Sequence, residues 1–366
     1  MIKRTLFFFI IICCLSSCSK NYTYRIEGKL SNLEDQTIYI VFEREDYRVV
    51  DTVICEKSGQ FKFDQKLDNF NTANIFFENR SQWIKVYLEP GVKISISGDA
   101  KYPLLFNIKG GKINEQLNAV RKDVSSLLKE YTDLSNQMNH TSNSVEETDI
   151  VSKIANIQHQ LTEHAVEYIK NHPEREVSVA LIQRYFSDPD DTRKMDELLA
   201  LLDPELKNFY LTKELEQYSV RAKRTAIGME APGFNVKNIY GESISLDTFS
   251  NKYLLLTFTA PWCDMCQTED LYLDKIVTTY PSEEIDVLLV SLDDKSNEVR
   301  ETLSNDSIQW NLVTDSAGQA TMLLDLYNVS VLPRSFLIDE EGKIIMKTES
   351  GTEIKQTIEK LFIEED

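Results

Sequence analysis

Two apolar runs in the last third of the chain constrain its fold more than any other feature. Tyr253–Phe258 and Ile285–Leu292 are mostly apolar, and each has the length of a strand. Helical spacing follows the first run over Cys263–Tyr280, so strand-like and helix-like segments alternate. Strands that are apolar on both faces must be covered by helices on both sides, and the alternation therefore predicts an α/β sheet. The segments Ser335–Ile338 and Lys343–Met346 predict a hairpin in the same sheet.

Two cysteines stand where the first apolar run meets the following helix. Cys263 and Cys266 are separated by two residues. At a strand-to-helix turn the first thiol lies at the helix N-terminus, where unpaired N–H groups and the helix dipole favour a thiolate. The spacing lets the second thiol reach back and resolve a mixed disulfide. A zinc ribbon would need a second Cys or His pair nearby, which the sequence lacks. The motif therefore predicts a redox centre rather than a metal site or a structural disulfide.

The first two thirds of the chain divide into a β-rich and a helical part. Short alternating runs separated by turn residues fill residues 21–112 and predict an antiparallel sandwich or barrel. Apolar residues recur every three or four positions from Ile113 to Arg224, which predicts amphipathic helices. We therefore predict four segments: a signal peptide over 1–17, a β-rich domain over 18–112, a helical region over 113–225 and an α/β domain over 226–366.

The N-terminus has the form of an export signal. Lys3 and Arg4 precede the apolar run Thr5–Leu15, which is too short to span a bilayer as a helix. The string Leu15-Ser16-Ser17-Cys18 resembles a bacterial lipobox. That resemblance implies cleavage before Cys18 and acylation of its thiol and amine, and two or more acyl chains anchor a protein stably. An ordinary cleaved signal with an incidental cysteine is the alternative. We expect a periplasm-facing lipoprotein of the cell envelope, in the inner or the outer membrane.

Charge and cysteine use narrow the functional classes. The net charge is −19, which excludes the basic footprint of a nucleic-acid-binding protein. Beyond Cys18, the remaining thiols are Cys55, Cys263 and Cys266, too few for a framework of structural disulfides. No cofactor is expected, because the cysteine pair itself carries electrons. No metal site is expected, because the four histidines are scattered through the helical region.

Several separate phrases of the α/β region carry a family resemblance. They are Gly228–Phe234, Gly241–Leu246, Trp262–Cys266, Val331–Pro333 and Phe336–Asp339. Together they resemble the membrane-anchored TlpA/ResA-like thiol-disulfide oxidoreductases, in the lipoprotein form of the Bacteroidetes, which carries a small β domain at the N-terminus. The resemblance implies a thioredoxin-like fold for residues 226–366.

The resemblance also implies roles for single residues. Cys263 would be the exposed attacking thiolate, and Cys266 the buried resolving thiol. Glu269 would relay protons to and from the pair, although a helix-start Glu favoured by the dipole is the alternative. Pro333 would be cis and pack against the disulfide, leaving the backbone before it free to pair with a substrate strand. Trp262, which directly precedes Cys263, is part of the family's redox motif and would have a supporting role.

The sequence departs from the family pattern at four positions, one of which is Asp270, which follows Glu269 where the family often has Pro. Thr257 stands where thioredoxins proper have a buried Asp, a role that would pass to Glu269. Arg334 follows the proline where Thr or Ser is common, and we expect it to alter the choice of partner. Asp264 places a negative charge beside the thiolate, which disfavours it.

Three functions are consistent with these features. The first is a membrane-anchored oxidoreductase that reduces disulfides of exported proteins and is itself reduced by a membrane electron donor. The second is a thiol peroxidase of the peroxiredoxin-related group, which would need Thr or Ser three residues before its reactive cysteine, where this chain has Ala260. The third is a cell-envelope binding protein whose redox domain is accessory.

Overall fold

The computed structural model describes most of the chain between Tyr22 and Ile363. The described residues are 22–33, 36–43, 48–67, 72–77, 82–138, 144–261, 263, 266, 273, 275–282, 284–293 and 311–363. The chain divides into two compact units, one comprising Met1–Asn171 and Arg175–Ala180, the other comprising His172–Glu174 and Leu181–Asp366. The helical region is thus shared between the two units, and the segment boundaries drawn from the sequence stay a prediction.

The described strands of the first unit form a β sandwich. They are β1 Tyr22–Ser31, β2 Thr37–Glu43, β3 Arg48–Ile54, β4 Gln60–Leu67, β5 Thr72–Phe77, β6 Gln82–Tyr87, β7 Lys93–Asp99 and β8 Asn107–Lys109. They make two four-stranded sheets, in the orders β4-β1-β7-β8 and β3-β2-β5-β6. Side chains of both sheets share one core, to which β1 gives Ile26 and β2 gives Ile40. The predicted β domain is confirmed, with one pairing, β1 to β7, parallel.

The predicted helical region is also confirmed. Its helices are α1 Lys112–Asp123, α2 Ser125–Met138, α3 Ser144–Asn171, α4 Glu176–Phe186, α5 Arg193–Leu201 and α6 Tyr210–Arg224. In the second unit, α5 and α6 are joined by a polar contact in which the hydroxyl of Ser219 donates to Asp196 at 2.6 Å. Between α4 and α5 lies a short loop of residues 187–192.

The C-terminal part of the second unit is an α/β domain. Its elements are β9 Asn235–Lys237, β10 Ser243–Ser245, β11 Tyr253–Thr259, β12 Ile285–Ser291, β13 Asn311–Thr314, α7 Gln319–Leu326, β14 Arg334–Ile338, β15 Ile344–Thr348 and α8 Gly351–Ile363. Five strands form one sheet in the order β13-β12-β11-β14-β15. The β11, β12 and β13 strands are parallel, whereas β14 and β15 run antiparallel as the predicted hairpin. The helix predicted over Asn297–Leu303 lies outside the described residues.

Both faces of this sheet are covered by packed side chains. Leu254, Leu256 and Phe258 of β11 point to one face, where Tyr327 at the end of α7 packs against them. Leu255 points to the other face and packs with Leu273, which follows the cysteine motif, and with residues of α8. The side chains of β11 that point to either face of the sheet are therefore buried. This is why the sequence of β11 is a continuous apolar run.

Candidate functional site

The cysteine motif lies directly beyond the carboxyl end of β11. Cys263 and Cys266 form a disulfide with a Cα–Cα distance of 5.2 Å. The backbone N–H of Cys263 donates to the carbonyl of Ala260 at 3.1 Å, which makes the turn between strand and helix. Cys266 is helical, and its backbone N–H donates to Sγ of Cys263 at 3.2 Å. This N–H group is aimed at the sulfur that would carry negative charge after reduction, and it would stabilise a thiolate there.

The two cysteine residues differ in burial, in the order that the resemblance implies. Cys266 is 1% exposed and Cys263 is 9% exposed. Leu292 and Leu332, both partly buried, pack against the two cysteines and Ala260. Because these leucines cover the motif, Cys263 is less exposed than the open thiol that the sequence led us to expect.

A proline loop faces the disulfide. The peptide bond between Leu332 and Pro333 is cis, as the resemblance implies, and β14 begins directly after it. Leu332 is the residue of this loop that packs against the two cysteines. Because a proline has no N–H, Pro333 cannot donate a hydrogen bond to a neighbouring strand. The role of Pro333 in substrate binding stays a prediction.

The position that is a buried Asp in thioredoxins proper carries a hydroxyl pair in this chain. Thr257 is buried in β11, and its Oγ1 lies 3.0 Å from Oγ of Ser335, which is buried in the neighbouring strand β14. The two residues are direct partners in the sheet register. At this position of β11, the chain therefore has a hydrogen bond between two neutral hydroxyl groups in place of the ionisable carboxyl group of thioredoxins proper.

Arg334 does not face outward from the proline loop. Its guanidinium is buried, and it pairs with Asp190 through Nη2 and with Glu349 through Nη1, the latter at 2.9 Å. Asp190 belongs to the loop between α4 and α5, 144 residues earlier in the chain. Sequence reasoning missed this contact, because no motif links the two positions. Any effect of Arg334 on the choice of partner is therefore indirect.

Three of the candidate residues stand beyond what the structure describes. Trp262, Glu269 and the lipidation candidate Cys18 lie outside the described residues, and their assignments stay predictions. Within the described ranges, no cluster of three or more His, Cys, Asp or Glu side chains is arranged to hold a metal ion. The helices of that same part of the chain include none that is both long and apolar enough to cross a membrane.

Two family profiles match separate parts of the chain. The AhpC/TSA family matches residues 227–347, and a domain of unknown function, DUF4369, matches residues 24–117. The thiol-disulfide oxidoreductase ResA of Bacillus thuringiensis is 28% identical over 142 residues, which cover 39% of this chain and 80% of that protein. ResA of Bacillus subtilis is 30% identical over 125 residues, covering 34% of this chain and 68% of that protein.

Solved structures from Bacteroides resemble the same part of the chain. The thioredoxin domain of a thiol-disulfide oxidoreductase from Bacteroides vulgatus is 29% identical, with a TM-score of 0.34, over 37% of this chain and 97% of that one. A thiol-disulfide oxidoreductase from Bacteroides fragilis is 28% identical, with a TM-score of 0.33, over 36% of this chain and 99% of that one.

The five-stranded sheet, the disulfide at the strand-to-helix turn and the cis-proline loop define a thioredoxin-like redox domain. Such a domain exchanges disulfides with the two cysteines of its motif. Together with the identity to ResA, this shows that the chain belongs to the ResA/TlpA-like family of thioredoxin-like thiol-disulfide oxidoreductases.

Proposed function

We propose that this chain is anchored to a membrane through Cys18 and reduces disulfides of exported proteins through Cys263 and Cys266. The observation that carries the proposal is the bond between the two cysteines where a helix begins, beside a cis-proline loop. A thiol in this position ionises readily, and its partner lies within bonding distance to complete the exchange. The identity to proteins named thiol-disulfide oxidoreductase ResA supports the same reaction class.

The reaction proceeds in two exchange steps. The thiolate of Cys263 attacks one sulfur of the substrate disulfide, and the other substrate sulfur leaves as a thiolate that takes up a proton. Cys266 then loses its proton, which Glu269 accepts, and attacks Sγ of Cys263, so that the second substrate thiol is released. Two electrons have passed to the substrate, whose two thiols hold one proton from Cys266, passed on by Glu269, and one from solvent, and the Cys263–Cys266 disulfide has formed. A dithiol donor at the membrane returns two electrons and two protons.

The membrane location rests on the sequence of the first eighteen residues. The charged start, the apolar run and the string Leu15-Ser16-Ser17-Cys18 support an acylated N-terminus. An acyl anchor in either membrane keeps the redox domain in the periplasm, where disulfides persist in proteins. Exported proteins that carry disulfides are therefore the substrate class that we propose, with the enzyme in the periplasm-facing cell envelope.

The activity is tested by the reduction of insulin disulfides with dithiothreitol as the electron donor. We expect the wild-type chain to accelerate the reaction and the Cys263→Ser variant to return it to the uncatalysed rate, because the attacking sulfur is gone. Equal rates with the two proteins would remove the proposed function.

The match to the AhpC/TSA family motivates a second assay, the turnover of hydrogen peroxide. Peroxidase chemistry in that group needs a hydroxyl three residues before the reactive cysteine, and Ala260 at this position has none. We expect peroxide consumption at the background rate. A peroxide rate that exceeds the rate of insulin reduction would favour a peroxidase instead.

A further inference from the structure

The loop between α4 and α5 is joined by charge to the strands that follow the proline loop. Asp190 pairs with Arg334 of β14 and lies 2.8 Å from Nζ of Lys347 in β15. The ammonium group of Lys347 also donates to the carbonyl of Pro189 at 2.9 Å. Glu349 completes the group through its own pair with Arg334. We call these four charged residues the Asp190 clamp.

Two of the four residues of the clamp are cations whose side chains are almost completely buried. The side chains of Arg334 and Lys347 are 7% and 3% exposed, whereas that of Asp190 is 51% exposed. A buried cation is unfavourable unless a carboxylate and hydrogen bonds compensate for its lost hydration. Burial lowers the pKa of Lys347, and the hydrogen bond and charge of Asp190 oppose that shift. Asp190 is therefore the shared counter-charge of two strands.

The clamp acts on the same short segment that packs against the redox disulfide. Arg334 directly follows Pro333, and Leu332 on the other side of that proline packs against Cys263 and Cys266. Two peptide bonds thus separate Arg334, whose guanidinium belongs to the clamp, from Leu332, whose side chain packs against the disulfide. Pro333 between them leaves the segment little freedom to absorb a movement, because the proline ring fixes its φ angle.

We propose that Asp190 is a positioning residue for the Leu332–Pro333 segment, so that the loop before α5 sets how well the enzyme binds a protein disulfide. This inference rests on the proposed function, and it adds a role for the helical region that precedes the redox domain. The contact also accounts for an arginine after the proline. Its guanidinium reaches a carboxylate outside the redox domain, which a Thr or Ser hydroxyl at that position could not do.

The test compares Asp190→Asn with Asp190→Glu in the full-length chain. The matched control is Asp191→Asn, one residue further along the same loop, whose carboxylate pairs with the exposed Arg193 at 2.6 Å. Reduction of insulin is measured beside reduction of a small aromatic disulfide, which needs no extended backbone contact with the proline loop. For Asp190→Asn we expect KM for insulin to rise about fivefold, with the small disulfide reduced at the wild-type rate.

Two further comparisons separate positioning from general stability. Asp190→Glu keeps the negative charge, so its KM for insulin should lie close to the wild-type value. Asp191→Asn should have the wild-type KM for insulin. An equal loss of activity on both substrates, or an unchanged KM for insulin, would overturn the inference. If Asp190→Asn does not fold, Glu349→Gln removes the other carboxylate on the same guanidinium and should raise the KM for insulin in the same way.

A measurement without substrate makes the inference independent of the proposed activity. Amide hydrogen exchange of Leu332, Arg334 and Ser335 should accelerate in Asp190→Asn, while that of the neighbouring strand β11 stays as in the wild type. Unchanged exchange in this segment would overturn the inference even in an active enzyme. Accelerated exchange in a protein that reduces no disulfide would instead keep the positioning role and remove the proposed function.

Discussion

The hydroxyl group of Tyr327 offers a sharp test of how the redox domain is held together. Tyr327 is fully buried, and its hydroxyl donates to the carbonyl of Pro232 at 2.8 Å. Its ring packs against Phe234, Phe258 and Phe336, with centroid distances of 6.4, 6.0 and 5.2 Å. Tyr327→Phe keeps these ring contacts and removes a single hydrogen bond. The change therefore isolates the attachment of the segment before β9 to the end of α7.

The expected loss follows from the surroundings of the two bonded atoms. A net hydrogen bond contributes about 1 kcal/mol, and leaving a buried acceptor without a donor adds to that loss. Because Pro232 is only partly buried, water can hydrogen-bond to its carbonyl and reduce the cost of leaving that acceptor without a donor. We expect the free energy of unfolding to fall by about 1–2 kcal/mol, with an unchanged dependence on denaturant concentration.

The assay is urea unfolding of the full-length chain, followed by tryptophan fluorescence. A Trp83→Phe background removes the signal of the β sandwich and leaves Trp262 and Trp310, which the sequence places in the redox domain. Tyr240→Phe makes the same chemical change at an exposed ring and serves as the control. A loss for Tyr327→Phe no larger than that for Tyr240→Phe would refute the reasoning.

The pH dependence of the same variant gives a second check. Burial raises the pKa of Tyr327 in the folded state, so the folded protein keeps the hydroxyl protonated where the unfolded chain ionises it. A raised folded-state pKa adds stability that is complete below the unfolded pKa of about 10 and is lost as the pH rises above it. The stability difference between wild type and Tyr327→Phe should therefore be constant at neutral pH and shrink above about pH 10.

Three further predictions concern the cysteines and Glu269. Cys55 is buried in the sandwich core, so Cys55→Ala should leave insulin reduction within about twofold of wild type; a tenfold loss in that assay would make Cys55 a third redox participant. Cys18→Ser should abolish acylation and membrane attachment, and unchanged membrane fractionation would contradict the lipoprotein assignment. Glu269→Gln should lower the pKa of at least one thiol, measured by the pH dependence of alkylation, and slow the attack of Cys266. An unchanged profile with unchanged turnover would return Glu269 to the role of a helix-start residue.

The sequence predicted the redox sheet well because its strands are unusual. A strand buried on both faces has to be apolar throughout, and β11 and β12 show this directly. The cysteine motif at the end of β11 then fixed the position of the site. Strand direction in the sandwich was harder to predict, because alternation between buried and exposed residues is the same in parallel and antiparallel strands. The parallel pairing of β1 and β7 therefore had no signal in the sequence.

The contacts of Arg334 and Cys263 depend on residues distant in the chain. Asp190 lies 144 residues before Arg334, and nothing near either residue indicates the other. From the sequence, Arg334 was expected to alter the choice of partner, but the fold supplies two carboxylates and buries its side chain. Likewise the resemblance implied an exposed Cys263, but Leu292, directly after β12, and Leu332, just before β14, pack against it.

The most direct test of the central claim is to identify the cysteine that carries a trapped substrate. Cys266→Ser lacks the resolving thiol, so a mixed disulfide with insulin should persist and be located by mass spectrometry of peptides prepared without reductant. We predict that the cross-link is found on Cys263. A cross-link on Cys55, or none at all on a folded Cys266→Ser chain, would contradict the assignment of Cys263 and Cys266 as the centre of disulfide exchange.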